Sequence, residues 1–410
     1  MRPGFYTLIA AQFLSALADN ALLLLVIALL QANNQEAFWI PVIKLMFTLS
    51  YVLAGPWVGA WADNKPKHMV MMQANSIKII ACLLLLCGID PILAFTLTGM
   101  GAAFYAPAKY GLITELVKSE QLVHANAWIE VSVVCAALFG VMLGGVLVAS
   151  YWIDSSIYQM IGNYLPANQM FNTSIAVLLV IYLFASLVNT QIPDSGRRYA
   201  PAVWNLNSVW TSFIHDQKKL WRDPLGSISL SVTSLFWGVG ASMQLLVLAW
   251  SQTMLDLNLT QAAYLQAAIA VGVVMGAILA SRLIDMKNAP RVLIAGVLLG
   301  MAIPLMTIIH DWRWALVLTL GLGMLGGFFV VPMNAMLQAR GVELLSAGRS
   351  ISVQNTCENS SVLLMLSGYS ALVFFHVSVN GLIWALAALI VSGMCLTLWR
   401  YQAIRRNTLL

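Results

Sequence analysis

The chain is 410 residues long, 60% hydrophobic and only 9% charged. Water-soluble domains carry roughly 25% charged residues, so too few charges are present to cover a surface facing water, and lipid must be the main solvent. The net charge of +5 is therefore read as anchoring at an anionic inner leaflet, which excludes a nucleic-acid footprint.

A helix needs about 20 apolar residues to cross a hydrocarbon core of ~30 Å. Backbone groups in that core must bond within their own segment, so long apolar runs are helices. None of the runs has the alternation of a membrane barrel strand. In chain order they fall at 5–30, 38–62, 69–88, 91–113, 125–149, 171–191, 226–250, 260–284, 291–309, 313–336, 354–375 and 381–400. The first run is too long for a cleaved signal sequence and carries Asp19 and Asn20, so it is read as the first span.

The longest polar interval, 192–225, holds Arg197, Arg198, Lys218, Lys219 and Arg222. It divides the chain into a six-helix half at 1–191 and a second at 226–410 with its tail. The expected fold class is all-α integral membrane, with twelve transmembrane helices. Basic residues set the orientation. With the N-terminus in the cytoplasm, 17 of the 21 Lys and Arg fall in the N-terminal segment, the even-numbered loops and the C-terminal tail. Lys44, Lys78 and Lys109 lie within spans, and only Arg313 is left for the far side. Both termini are therefore expected in the cytoplasm.

Charges inside spans are the candidate functional residues, because each costs roughly 3 kcal/mol or more when unpaired. At ~1.5 Å rise per residue, Asp19 lies roughly 21 Å into the first span. Lys44 enters the second span from the far side and reaches nearly the same depth, so Asp19 and Lys44 can pair. Snorkelling or structural pairing is the simpler reading for Lys44 and for Lys78, which sits near mid-depth in span 3. Lys109 and Glu130 both fall near the cytoplasmic side, close enough in depth to form a gate pair. Gln354 and Glu358 share one helix face at the start of span 11, beside Asn355 and Asn359. They read as a cap network, a gate or a headgroup contact.

After span 2 comes Gly59-Ala-Trp-Ala-Asp63-Asn-Lys65-Pro-Lys67. The glycine permits close helix approach, and Asp63 can cap a neighbouring helix or pair with a base such as Lys67 in one conformation only. That makes Asp63 and Lys67 gating candidates, with a solvated turn as the simpler reading. Gly140, Gly144 and Gly145 in span 5 have the spacing of close helix packing. Gly101, Phe104 and Pro107 recur at an offset of 225 as Gly326, Phe329 and Pro332, and Phe13 meets Phe236 at 223. Two such halves with a basic central loop have the layout of the major facilitator superfamily. The 59–67 stretch resembles that superfamily's loop signature, departing at Asn64 and Pro66. In the second half Gly276 is present, but Ala280 stands where the acid would be.

Cys82, Cys87, Cys135, Cys357 and Cys395 lie in apolar runs without a CxxC pair and read as small hydrophobes. No metal site or cofactor is expected. His68, His124, His215, His310 and His376 have no aspartate five positions on, and neither GxSxG nor HExxH occurs, so no enzyme activity is expected.

The segments 11–24, 101–116, 234–240, 325–341 and 353–368 closely resemble the bacterial lysophospholipid transporter family, LplT, over nearly the whole chain. The likeness centres on Asp19-Asn20, on Pro107-Ala-Lys109-Tyr110 and on Gln354-Asn355. It implies a flippase of the bacterial inner membrane. Its substrates would be lysophospholipids, chiefly lysophosphatidylethanolamine, moved from the outer to the cytoplasmic leaflet. There an acyltransferase/acyl-ACP synthetase partner would reacylate them. By resemblance, Asp19, Asn20, Lys109 and Glu130 are substrate-path residues. Gln244 stands where the family pattern has an arginine, a natural phosphate partner, so it can donate hydrogen bonds but no charge. The alternative is a proton-coupled drug or amphiphile exporter of the same superfamily. Such exporters carry a complete loop signature and a proline in the span 5 motif, both incomplete here.

Overall fold

The computed structural model describes residues 3–35, 39–166, 170–197, 199 and 205–408. Every regular element among them is helical. In chain order the α-helices are α1 (Pro3–Ala32), α2 (Trp39–Asn64), α3 (Lys67–Leu86), α4 (Pro91–Leu116) and α5 (Leu122–Val148). There follow the short α6 (Ser150–Ile153) and α7 (Ser156–Gly162), then α8 (Asn172–Thr190), α9 (Leu206–Arg222) and α10 (Pro224–Met254). The chain continues with α11 (Leu259–Leu283), α12 (Leu293–Ala302), α13 (Trp312–Leu344), α14 (Ala347–Phe374) and α15 (Val379–Thr408).

Eleven of the helical segments are long and apolar enough to cross a membrane. The twelfth expected span lies in α14, which at 28 residues is long enough. Its run 354–361, Gln-Asn-Thr-Cys-Glu-Asn-Ser-Ser, is too polar to count as an apolar span. The expected span at 291–309 is α12 flanked by two 3-10 turns, Met286–Val292 and Ile303–Thr307. Pro290 and Pro304 supply no backbone N–H there, and each falls in one of the two 3-10 turns. Helix starts elsewhere follow side-chain chemistry. Asp90 accepts from Ile92 and Leu93 N–H at the head of α4, and Asn258 and Gln261 form a capping box at α11.

The central interval is more than a polar loop, since it contains the 17-residue α9. Val209, Phe213 and Leu220 are buried and four and seven residues apart, which puts them on one face. Arg198 lies outside the described residues.

The helices pack as two compact units. One takes Met1–Val117, Cys135–Phe213 and Ser346–Asn355, and the other Lys118–Val134, Ile214–Leu345 and Thr356–Leu410. The first has its apolar core where α1, α3, α4 and α8 meet, around Leu22, Leu25, Leu85, Phe95 and Leu178. Gly140 and Gly144 face α1, where a Cβ would come within 2.6 Å of the Leu17 carbonyl and 2.9 Å of the Ala21 carbonyl. Close packing is thus what these two glycines do, whereas Gly145 faces open space. The core of the second unit surrounds Trp250, whose indole N–H donates to the Met306 carbonyl at 2.8 Å.

Candidate functional site

Three apolar helices of the first unit each carry a short polar stripe at helical spacing. On α1 it is Gln12, Ser15 and Asp19; on α3 it is Asn75 and Lys78; on α8 it is Tyr182, Ser186 and Asn189. The stripes of α1, α3 and α8 converge on Asp19. Lys78 Nζ donates to Asp19 Oδ2 at 2.6 Å and to Ser15 Oγ at 3.0 Å. The Tyr182 hydroxyl donates to Asp19 Oδ1 at 2.7 Å. Ser15 in turn donates to Asn75 Oδ1 at 2.9 Å. The Tyr105 and Tyr182 rings lie 5.3 and 5.7 Å from the Lys78 ammonium, within cation–π range. A carboxylate, a hydroxyl and two ring faces therefore enclose one ammonium.

This arrangement answers the cost of burying charge. Desolvation takes several kcal/mol per ion, and a buried pair repays it only with good geometry and further hydrogen bonds. The two partners are not equally enclosed: the Lys78 side chain is 2% exposed and that of Asp19 15%. Asp19 is the more accessible partner of the two. Room for Lys78 comes from Gly101 on α4, where a Cβ would lie 2.7 Å from Lys78 Cγ and 2.8 Å from the Ala74 carbonyl.

The partner of Asp19 is thus Lys78 and not Lys44. Lys44 is exposed on α2. Equal depth allowed either lysine, but it is Lys78 on the stripe of α3 that bonds Asp19. Asn20 donates from Nδ2 to the Ala16 carbonyl at 2.8 Å, back onto its own helix. Lys109 is buried in the first unit, 3.4 Å from Gln12 Oε1 and 4.3 Å above the Tyr110 ring. Glu130 is buried in the second unit. Gln244, also in the second unit, is exposed, and its main-chain carbonyl accepts from Gln266 Nε2 at 3.1 Å. Gln354 and Glu358 are buried, the former in the first unit and the latter in the second. Because α14 begins at Ala347, both stand in its interior and cannot cap its start.

The residue that holds that start is Asp63. Its carboxylate accepts from the Ser346 hydroxyl, from Gly348 N–H at 2.9 Å and from Arg349 N–H at 3.1 Å. Lys67 adds an ammonium at 2.7 Å from Asp63 Oδ1 and 3.7 Å from Glu115 Oε1. An acid is favoured at that place because the first N–H groups of a helix lack intrahelical partners and carry partial positive charge. Gly59 lets α2 come that close, since a Cβ there would meet Ser352 Cβ at 2.8 Å and Arg349 Cα at 2.9 Å.

Sequence reasoning did not single out Ser15, Asn75, Tyr105, Tyr182, Asn189 or Glu115. The signal was present as polar residues three, four or seven apart in helices otherwise apolar. Among the described residues no group of three His, Cys, Asp or Glu could hold a metal ion. The chemistry on offer is electrostatic. Asp19 can take up an ammonium at its exposed side, and Lys109 can neutralise a phosphate.

Residues 8–366 match the family model for the Major Facilitator Superfamily. A lysophospholipid transporter LplT of Escherichia coli O6:K15:H31 (strain 536 / UPEC) is 38% identical over 378 residues, covering 92% of this chain and 90% of that protein. The lysophospholipid transporter LplT of Enterobacter sp. (strain 638) is 37% identical over 407 residues, covering 98% and 96%. Among solved structures, a bacterial homologue of the iron transporter ferroportin superposes with a TM-score of 0.71 at 18% identity, covering 98% of this chain and 99% of that one, which is a likeness of fold.

Proposed function

The chain belongs to the Major Facilitator Superfamily and within it to the family of bacterial lysophospholipid transporters, and from that premise we propose that it carries lysophospholipids across the inner membrane, from the outer to the cytoplasmic leaflet. The observation that carries this reading is the extent of the kinship, which spans nine-tenths of both chains and leaves few segments unmatched. The polar cluster at Asp19 supplies the chemistry such a substrate needs. Lysophosphatidylethanolamine is a zwitterion with one acyl chain. Its ammonium meets the reachable side of Asp19, and its phosphate meets Lys109. Its chain stays against apolar helix surface, so only the headgroup needs polar shelter from hydrocarbon.

Asn20 and Glu130 are assigned to the substrate path by resemblance and Gln244 by its place at the family's arginine, while Asp63, Lys67, Gln354 and Glu358 are assigned to gating by their positions in the sequence. Capping of α14 by Asp63 supports the second assignment: a carboxylate bonded to helix-start N–H groups is a contact that one state can make and another break. Access to Asp19 then alternates between the two faces of the membrane, as in other transporters built from repeated halves. The termini lie in the cytoplasm, and products pass to an acyltransferase/acyl-ACP synthetase in the same compartment.

The test is uptake into proteoliposomes of a labelled lysophosphatidylethanolamine beside a cationic dye. Uptake of the lipid without the dye is expected. Transport of the dye alone, dependent on a proton gradient, would replace this reading with a drug exporter.

A further inference from the structure

We infer that Lys78 is a tethered competitor of the substrate ammonium for Asp19, and that it thereby sets how the transporter ranks headgroups. The inference rests on the lysophospholipid reading above. A primary ammonium from the chain's own α3 already sits 2.6 Å from Asp19 Oδ2, wrapped by the Ser15 hydroxyl and the Tyr105 and Tyr182 rings. An ethanolamine headgroup ends in the same chemical group. Asp19 offers its remaining lone pairs on its exposed side, whereas Lys78 is closed off from solvent. Two ammoniums therefore approach one carboxylate from opposite directions, one tethered and one mobile.

Charge governs the exchange between them. The Asp19–Lys78 pair is neutral as a unit, so at rest it repels neither a zwitterionic nor an anionic headgroup. When an ammonium arrives, the carboxylate is shared and the bond to Lys78 lengthens. Lys78 has somewhere to go, because its neighbourhood holds polar atoms the fold leaves unused. Asn75 Nδ2, the Tyr105 hydroxyl and both polar atoms of the Asn189 side chain are buried without a hydrogen-bond partner. Buried polar groups are nearly always bonded, so the unused acceptors in this cluster mark a second resting place for the ammonium, whereas the two amide nitrogens are donors and take no part. Asn189 Oδ1 and the Tyr105 oxygen are the acceptors there.

A lysine whose only task was to neutralise Asp19 would affect all substrates alike. A competitor affects them differently: it opposes an ammonium headgroup and is indifferent to, or assists, a headgroup with no cation. Two variants move the competition in opposite directions. Lys78→Gln keeps a hydrogen bond to Asp19 but brings no charge. Lys78→Arg keeps the charge and binds a carboxylate through two N–H groups at once, so it lets go less readily.

The experiment measures initial uptake of labelled lysophosphatidylethanolamine and lysophosphatidylglycerol in proteoliposomes, for wild type and both variants, after monodispersity is checked. The expected result is a preference for the ethanolamine lipid that rises at least fivefold in Lys78→Gln and falls at least fivefold in Lys78→Arg. A preference that stays within twofold of wild type in whichever variant folds, however far the absolute rates drop, overturns the inference. Wild-type protein that transports neither lipid overturns instead the functional reading on which it rests.

Discussion

A carboxylate has about four lone-pair sites, and Asp19 uses two of them on Tyr182 and Lys78. That leaves about two lone-pair sites for a further donor. The same bonds complicate the simplest mutation. Asp19→Asn would leave Lys78 as an unpaired buried cation, and breaking a buried pair in this way costs about 3–5 kcal/mol. The single variant should therefore lose both thermal stability and uptake. Asp19→Asn combined with Lys78→Met removes both charges and should recover most of the melting temperature, while uptake of lysophosphatidylethanolamine stays at least tenfold below wild type. Recovery of uptake in the double variant would show that Asp19 matters only for packing. Gln244→Arg should behave in the opposite way. Gln244 is exposed on α10, so a longer cationic side chain displaces nothing. Uptake of a phosphate-bearing substrate should be unchanged or better, and an inactive Gln244→Arg beside a normal Gln244→Ala would contradict the phosphate role.

Among the helices, the start of α14 is the place where one side chain organises most backbone. Each hydrogen bond to a charged group contributes about 1.5–3 kcal/mol, and Asp63 receives two from N–H groups besides those from Ser346 and Lys67. Asp63→Ala should lower the melting temperature clearly. Ser346→Ala, which removes one hydroxyl and leaves the carboxylate in place, should cost only about 1 kcal/mol. If the two variants melt alike, the cap is not what holds this helix start. The spans themselves were legible in sequence because apolar length is a strong signal, and α2, α4 and α8 begin and end within a few residues of the expected positions. The misplaced elements have physical causes. α14 starts at Ala347 and not at 354 because Asp63, distant in sequence, supplies its cap. α9 was hidden because its apolar face is only one residue in three or four wide. The partner of Asp19 was hidden because depth is readable from one helix, whereas the choice between Lys44 and Lys78 depends on which helix faces which.

At the scale of the molecule, a membrane chain of the Major Facilitator Superfamily carries a buried polar cluster around Asp19 among apolar helices. The claim with most at stake is that the protein moves the headgroup of a single-chain phospholipid from the outer leaflet inward. A direct measurement places fluorescent lysophosphatidylethanolamine in the outer leaflet of proteoliposomes and follows its loss from extraction by external albumin. Time-dependent protection is predicted with wild-type protein and should be nearly absent in Asp19→Asn combined with Lys78→Met. Equal protection in wild type, in the double variant and in protein-free vesicles would contradict the claim.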